Sequence, residues 1–254
     1  MTADLQKAAI TKRFAAALLD FILLTILVTG IAAILAGVFG LDNHTAVIQA
    51  RQTHFESEYN VDFDISAEDF EKLAEAEQKK YDEAYSALIN DEDFLQAYNM
   101  QVSITLLIAT FSILIGILIT ELLIPMWLKN GQTLGKKIFG LALVRIDGVQ
   151  LTNLQLFVRS VLGKFTTETM LPVYIILMIF FNAANIISLA ILVALVIGQL
   201  VSLIISKTNA AIHDHLAGTA VVDFASQRIF RSSDDLLEYT KEIHADRANR
   251  SDYK

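Results

Sequence analysis

The feature that most constrains this chain is an apolar run from Phe14 to Gly40, 27 residues whose only charge is Asp20. About 20 apolar residues suffice to cross a hydrocarbon core of about 30 Å. The run is therefore expected to be a membrane helix, and its length and internal acid argue against a cleaved signal peptide. Arg13 stands just before it, seven residues from Asp20. Seven residues are nearly two turns, so the two side chains share a face, with Asp20 roughly 10 Å deeper at about 1.5 Å per residue. A carboxylate at that depth costs about 2.5–3.5 kcal/mol on insertion scales unless it is neutral, paired or solvated. Asp20 needs a partner.

Further apolar runs follow at Met100–Leu128, Thr169–Asn182 and Asn185–Ile205. Of the 254 residues, 54% are hydrophobic and 19% charged, and the charges sit in blocks between the runs. The expected fold is an all-α membrane protein with four transmembrane helices, an extracytoplasmic acidic helical arm, an interfacial amphipathic helix and a small cytoplasmic β element. The corresponding segments are 1–40 (N-terminus and first span), 41–99 (acidic insertion), 100–128 (second span), 129–168 (hairpin and amphipathic helix), 169–206 (third and fourth spans) and 207–254 (motif and tail). The chain has no cysteine, which excludes disulfides and thiolate chemistry.

Leu41–Asn99 holds 15 Asp or Glu against 4 Lys or Arg, which accounts for the net charge of −8. Apolar residues recur there at helical spacing, with helices expected near Ala46–Tyr59 and Ala67–Ile89 and a start at Ser66. Lysine and arginine collect before the first span, between the second and third, and after the fourth. Both termini are then expected in the cytoplasm, and the acidic arm outside it.

The second span contains Glu121 and Pro125. Proline lacks the amide that would bond the carbonyl four residues back, which is that of Glu121, so this carbonyl must be satisfied from elsewhere. Counting from Lys129 puts Glu121 roughly 12 Å deep, near the depth of Asp20. The two acids are candidates for a shared proton or cation site. The competing reading is that they hold helices in register.

Between the second and third runs, Gly131–Lys137 resembles a phosphate-binding loop but has the wrong glycine spacing and no Ser or Thr after the lysine. Ala142–Ile146, Asp147-Gly148 and Val149–Leu151 read as a hairpin. Such a pair is marginal alone, so Ala142–Ile146 is expected to pair with Thr219–Phe224. Leu151, Leu154, Val158, Val161, Leu162 and Phe165 form one face of the expected interfacial helix. Arg159 and Lys164 lie off that face and are candidates for contact with anionic lipid heads. His213-Asp214-His215 is a poor metal site, because alternating ligands lack a second cluster.

Arg13, Asp20, the Gly131–Lys137 run with Arg145 and Asp147-Gly148, and Asp214 within Ile212–Thr219 together resemble the RDD family of bacterial membrane proteins. Arg13, Asp20 and Asp214 match the three residues of its name. His215 and the long acidic arm depart from the pattern. The resemblance implies a multi-pass protein of a bacterial inner or plasma membrane, and some relatives are associated with cation/proton antiport. From the residues, transport through Asp20 and Glu121 leads, and four spans would then require a homo-oligomer or a partner membrane protein. A non-catalytic accessory or scaffold binding proteins or lipid is the alternative. No enzyme, metal, cofactor or nucleic-acid partner is expected.

Overall fold

A computed structural model describes residues 5–128, 131–180, 185–206 and 210–251. The chain divides into two compact units, Met1–Val28 with Ile113–Lys254, and Thr29–Ser112. Among the described residues three helices are long and apolar enough to cross a membrane: α1 (Ile10–Val38), the continuous helix Glu92–Leu128, and α10 (Ile186–Ile205). Large apolar side chains of α1 and α10, such as Phe21, Ile34, Ile187 and Ile204, point outward, as lipid-facing helices require.

The smaller unit includes α2 (Leu41–Tyr59), α3 (Ala67–Glu71), α4 (Glu75–Ile89) and the first part of α5 (Glu92–Ile117). Ser66 caps α3 by accepting from the Asp69 amide at 3.2 Å, as its position before two acids suggests. The single helix expected over Ala67–Ile89 is broken at Ala74, whose backbone is extended. Glu77 accepts from the Ala74 amide at 3.1 Å, and Gln78 donates to the Phe70 and Leu73 carbonyls. Local side-chain bonds therefore stabilise a second helix start inside an apolar pattern that looks continuous. Phe63, Phe70, Tyr81 and Tyr85 pack edge-on around the break.

In the larger unit, Glu92–Leu128 passes through a π-helical segment, Leu118–Leu123, before α6 (Ile124–Leu128). Next come α7 (Leu134–Ile138), β1 (Leu141–Arg145) and α8 (Asn153–Phe157), which runs into a second π-helical stretch, Val158–Met170, and then α9 (Leu171–Phe180). After α10 come α11 (Ile212–Ala217), β2 (Thr219–Asp223) and α12 (Ser233–Ser251). The expected third span is therefore described only as ten apolar residues, Leu171–Phe180, at the end of a longer helix. Thr169 and Met170 belong to the π-helical stretch, and residues 181 and 182 lie outside the described residues.

β1 and β2 pair antiparallel from Leu141↔Asp223 to Arg145↔Thr219, as expected. Of the hairpin with Val149–Leu151 only the closing end forms, with the Arg145 amide on the Val149 carbonyl at 2.9 Å. The Asp147-Gly148 turn does form, with the Gly148 amide on the Arg145 carbonyl at 2.9 Å. Val149, however, bridges to Phe230, and Lys7 bridges to Val222. Both faces of the sheet are covered, one by Ala8, Ala16 and Leu156, the other by Leu5 and Ile229. Gly218 ends α11 in the left-handed region at φ 64°, which turns the chain directly into β2.

Candidate functional site

The larger unit encloses a cluster of ionised side chains. Asp214 lies in the first turn of α11 and is 1% exposed. It accepts from Arg159 Nε at 3.0 Å and from Thr219 Oγ1 at 3.1 Å, and it pairs with Arg13 Nη2 at 3.7 Å. Arg159 Nη1 reaches Glu121 at 3.3 Å, and its Nη2 lies 2.8 Å from His213 Nε2. Arginine only donates, so Nε2 accepts and the His213 proton is on Nδ1, which donates to Glu168 Oε2 at 2.7 Å. The Glu168 carboxylate also accepts from the His213 amide at 2.9 Å.

The local backbone explains this convergence. Val158–Met170 is π-helical, and i→i+5 bonding brings residues four and five apart onto one face. Arg159, Lys164 and Glu168 thereby point the same way. Thr166 and Thr167 support the wide turn by donating to the carbonyls of Val161 and Leu162, five residues back. Gly163 admits α11, since a Cβ there would fall 2.5 Å from His213 Cβ and 2.8 Å from its Cα. The expected interfacial helix is thus turned: Leu154 and Leu162 face outward while Arg159, Ser160 and Gly163 are buried. Arg159 is consequently corrected as a lipid-head contact, because its guanidinium is enclosed by Asp214, Glu121 and His213. In a membrane protein the polar face of such a helix goes inward.

Glu121 sits in the other π-helical segment and is 3% exposed. Lys164 Nζ donates to its Oε1, and Arg159 and Lys136 Nζ approach its Oε2, the latter at 3.9 Å. The carbonyl that Pro125 leaves without an amide accepts from Ser160 Oγ at 2.7 Å. Asp20 is held at the start of α7, by Thr133 Oγ1 at 2.5 Å and the Gly135 amide at 2.7 Å. A Cβ on Gly135 would strike the Ala16 carbonyl and the Asp20 carboxylate, so only glycine lets α7 approach α1 this closely.

Asp20 and Glu121 are thus bound by different partners, with one cation joining them. Lys136 Nζ lies 3.3 Å from the Thr133 hydroxyl that bonds Asp20, and 3.9 Å from Glu121. Burial pushes this ammonium down to about 8, Arg159 and Lys164 add to the shift, and Glu121 and Asp20 oppose it. Burial also lowers His213, with help from Arg159 and against Asp214 and Glu168, which agrees with its neutral tautomer. For Asp214, burial would raise the pKa, but the Arg159 charge and hydrogen bonds from Arg159 and the Ala211 amide outweigh it and hold the carboxyl well below its usual range. With His213 neutral, Arg13, Lys136, Arg159 and Lys164 balance Asp20, Glu121, Glu168 and Asp214.

A cavity of about 430 Å³ opens against this cluster. Asp20, Lys136, Arg159, Lys164, His213 and Asp214 line its polar side; Phe14, Leu200, Leu203 and Ile204 line its apolar side. His215 points outward. No group of three or more His, Cys, Asp or Glu among the described residues could hold a metal ion.

A model of the RDD family matches residues 7–218. The chain belongs to the RDD family. That match takes in Arg13, Asp20 and Asp214, and the Arg13–Asp214 pair joins two of these RDD residues across the length of the matched region. No curated protein and no solved structure matches the chain. The RDD motif pointed to Arg13, Asp20 and Asp214, and proline chemistry to Glu121. Lys136, Glu168 and Ser160 were missed as partners. Glu168 carried a usable signal, an acid directly before an apolar run. The π-helical turn that aligns it with Arg159 had none.

Proposed function

We propose that this RDD protein is a membrane exchanger of a cation for a proton, and that the exchange runs through Asp20, Lys136 and Glu121. The observation that carries this reading is the buried Lys136 ammonium between the two carboxylates, linked to Asp20 through Thr133. When Lys136 gives up its proton, Asp20 and Glu121 lose a neutralising charge. A cation taken up beside the two carboxylates replaces it, and reprotonation of Lys136 expels that cation. Each cycle conserves charge. A lysine poised at about 8 suits this role near neutral pH.

The proposed topology is multi-pass in a bacterial inner membrane with both termini cytoplasmic. Lys7 and Val222 bridge, and β1 pairs with β2, so the N-terminal segment, the β1 region and the segment after α10 belong on one side of the bilayer. The chain between β1 and β2 must then cross an even number of times. This supports a second crossing that begins at α9.

Flux of cations and protons in liposomes containing the purified full chain tests the reading. Lys136→Met, Asp20→Asn and Glu121→Gln should each abolish exchange in protein that remains inserted and monodisperse. Unchanged exchange in Lys136→Met would end it. A scaffold reading also has support: among the described residues every buried side-chain nitrogen or oxygen has a hydrogen-bond partner, as expected of a cluster that only holds helices together. Stable, flux-deficient single variants would count against the scaffold.

A further inference from the structure

We infer that the cavity beside the charge cluster is a binding site for an anionic membrane lipid, with the headgroup phosphate on Lys164 and Arg13 and an acyl chain between α1 and α10. This goes beyond the exchange reading and stands on different residues. Lys164 and Arg13 are the most exposed of the four cluster cations, 28% and 14% against 11% for Lys136 and 3% for Arg159. Both line the cavity. The opposite wall is apolar, and its members continue onto outward faces of two membrane helices: Phe14 is 69% exposed on α1, Leu200 54% and Ile204 77% on α10.

A small hydrophilic anion matches the cations but not this mouth, and an uncharged lipid matches the mouth but not the cations. An amphiphile with an anionic head satisfies both. The volume, about 430 Å³, falls within the range of sites that hold a small ligand or a headgroup with the first part of its chain. Lysine binds phosphate as a point charge and arginine as a fork. Asp20 and Asp214 also line the cavity, but Thr133 and Gly135 hold the first, and Arg159 and Thr219 the second. Lys164 and Arg13 are themselves paired with Glu121 and Asp214, and their exposed sides are what the cavity offers to an incoming phosphate.

Native mass spectrometry of the full chain in a non-ionic detergent tests this, by titration with phosphatidylglycerol, with phosphatidylcholine of the same acyl chains, and with inorganic phosphate. The expected result is one tightly held phosphatidylglycerol, retained about tenfold better than phosphatidylcholine, with no adduct from phosphate alone. Leu200→Trp, which fills the mouth, should remove the preference without lowering the melting temperature of lipid-free protein. Ile204→Trp, on the same wall, serves where Leu200→Trp does not fold. Lys164→Met should weaken the preference, while Glu121→Gln, which addresses exchange at a residue that does not line the cavity, should leave it in place. Equal retention of the two lipids would overturn the charge assignment. An adduct with phosphate alone would mean a soluble anion rather than a lipid, and a preference that survives the tryptophan variants would overturn the location. Loss of exchange in Glu121→Gln with lipid binding intact separates the two readings.

Discussion

Two arginine–aspartate pairs, one in each unit, show how environment changes the meaning of the same contact. In the arm, Arg51 grips Asp91 with two parallel bonds, Nε to Oδ1 at 2.8 Å and Nη2 to Oδ2. Its side chains are 30% and 15% exposed. In the charge cluster, Arg159 meets Asp214 through a single bond at 3.0 Å, with side chains 3% and 1% exposed. By geometry the arm pair is the better one. Water nevertheless competes for both its members, so losing it costs little. Arg159 and Asp214 are almost fully enclosed, so water competes far less, and a lost partner leaves a poorly solvated charge. Bond count is thus a poor guide to which pair matters.

The sharpest break in the comparison is Arg159→Met. It strands Asp214 and part of the Glu121 interaction, and should cost about 3–5 kcal/mol, measured by unfolding of the detergent-solubilised protein. Adding Asp214→Asn restores neutrality and should recover much of that loss. If the double variant is no better than the single one, charge stranding is not the cause.

Next in size is a pH effect from Lys136. Its pKa in the folded protein is lowered from 10.5 to about 8, so between these values the unfolded chain binds the extra proton. Stability should rise with pH across that window, by up to about 3 kcal/mol. Below about 8 both states are protonated and the burial penalty is constant. The wild type minus Lys136→Met difference isolates this slope. A flat difference from pH 8 to 10.5 would show that the ammonium is not penalised by burial.

Smaller losses, about 1–3 kcal/mol each, should follow from Ser160→Ala, which leaves the Glu121 carbonyl without its donor, and from Gly163→Ala, which pushes α11 away. Hydrogen exchange of the α11 amides should quicken in the second variant more than in the first. Arg51→Met should give the smallest change, close to the error of an unfolding measurement. A loss there as large as that in Arg159→Met would erase the contrast between the two environments.

The RDD motif placed Arg13, Asp20 and Asp214 in one group from sequence alone, and the Arg13–Asp214 pair forms. The β1–β2 pairing was legible as well, because a lone hairpin needs further strands and few segments outside lipid qualified. The inward turn of Arg159 was not. Helical periodicity of 3.6 residues put it off the apolar face, and nothing in Val158–Met170 announces a π-helix. The break at Ala74 was hidden for a related reason, since the side-chain bonds of Glu77 and Gln78 that produce it leave no mark on the apolar spacing.

From its sequence by itself this protein was bound to place apolar helices in lipid and to find partners for Asp20 and Glu121, because the cost of exposing apolar groups to water or bare charge to hydrocarbon depends on residue type and run length alone. Which partners they found was decided by tertiary structure. Thr133 and Gly135 reach Asp20, and Lys164, Arg159 and Lys136 reach Glu121, only because glycines at 135 and 163 let short helices approach closely and a widened helix aligns cations from successive turns. Those are distances between segments far apart in the chain, and no local pattern of residues encodes them.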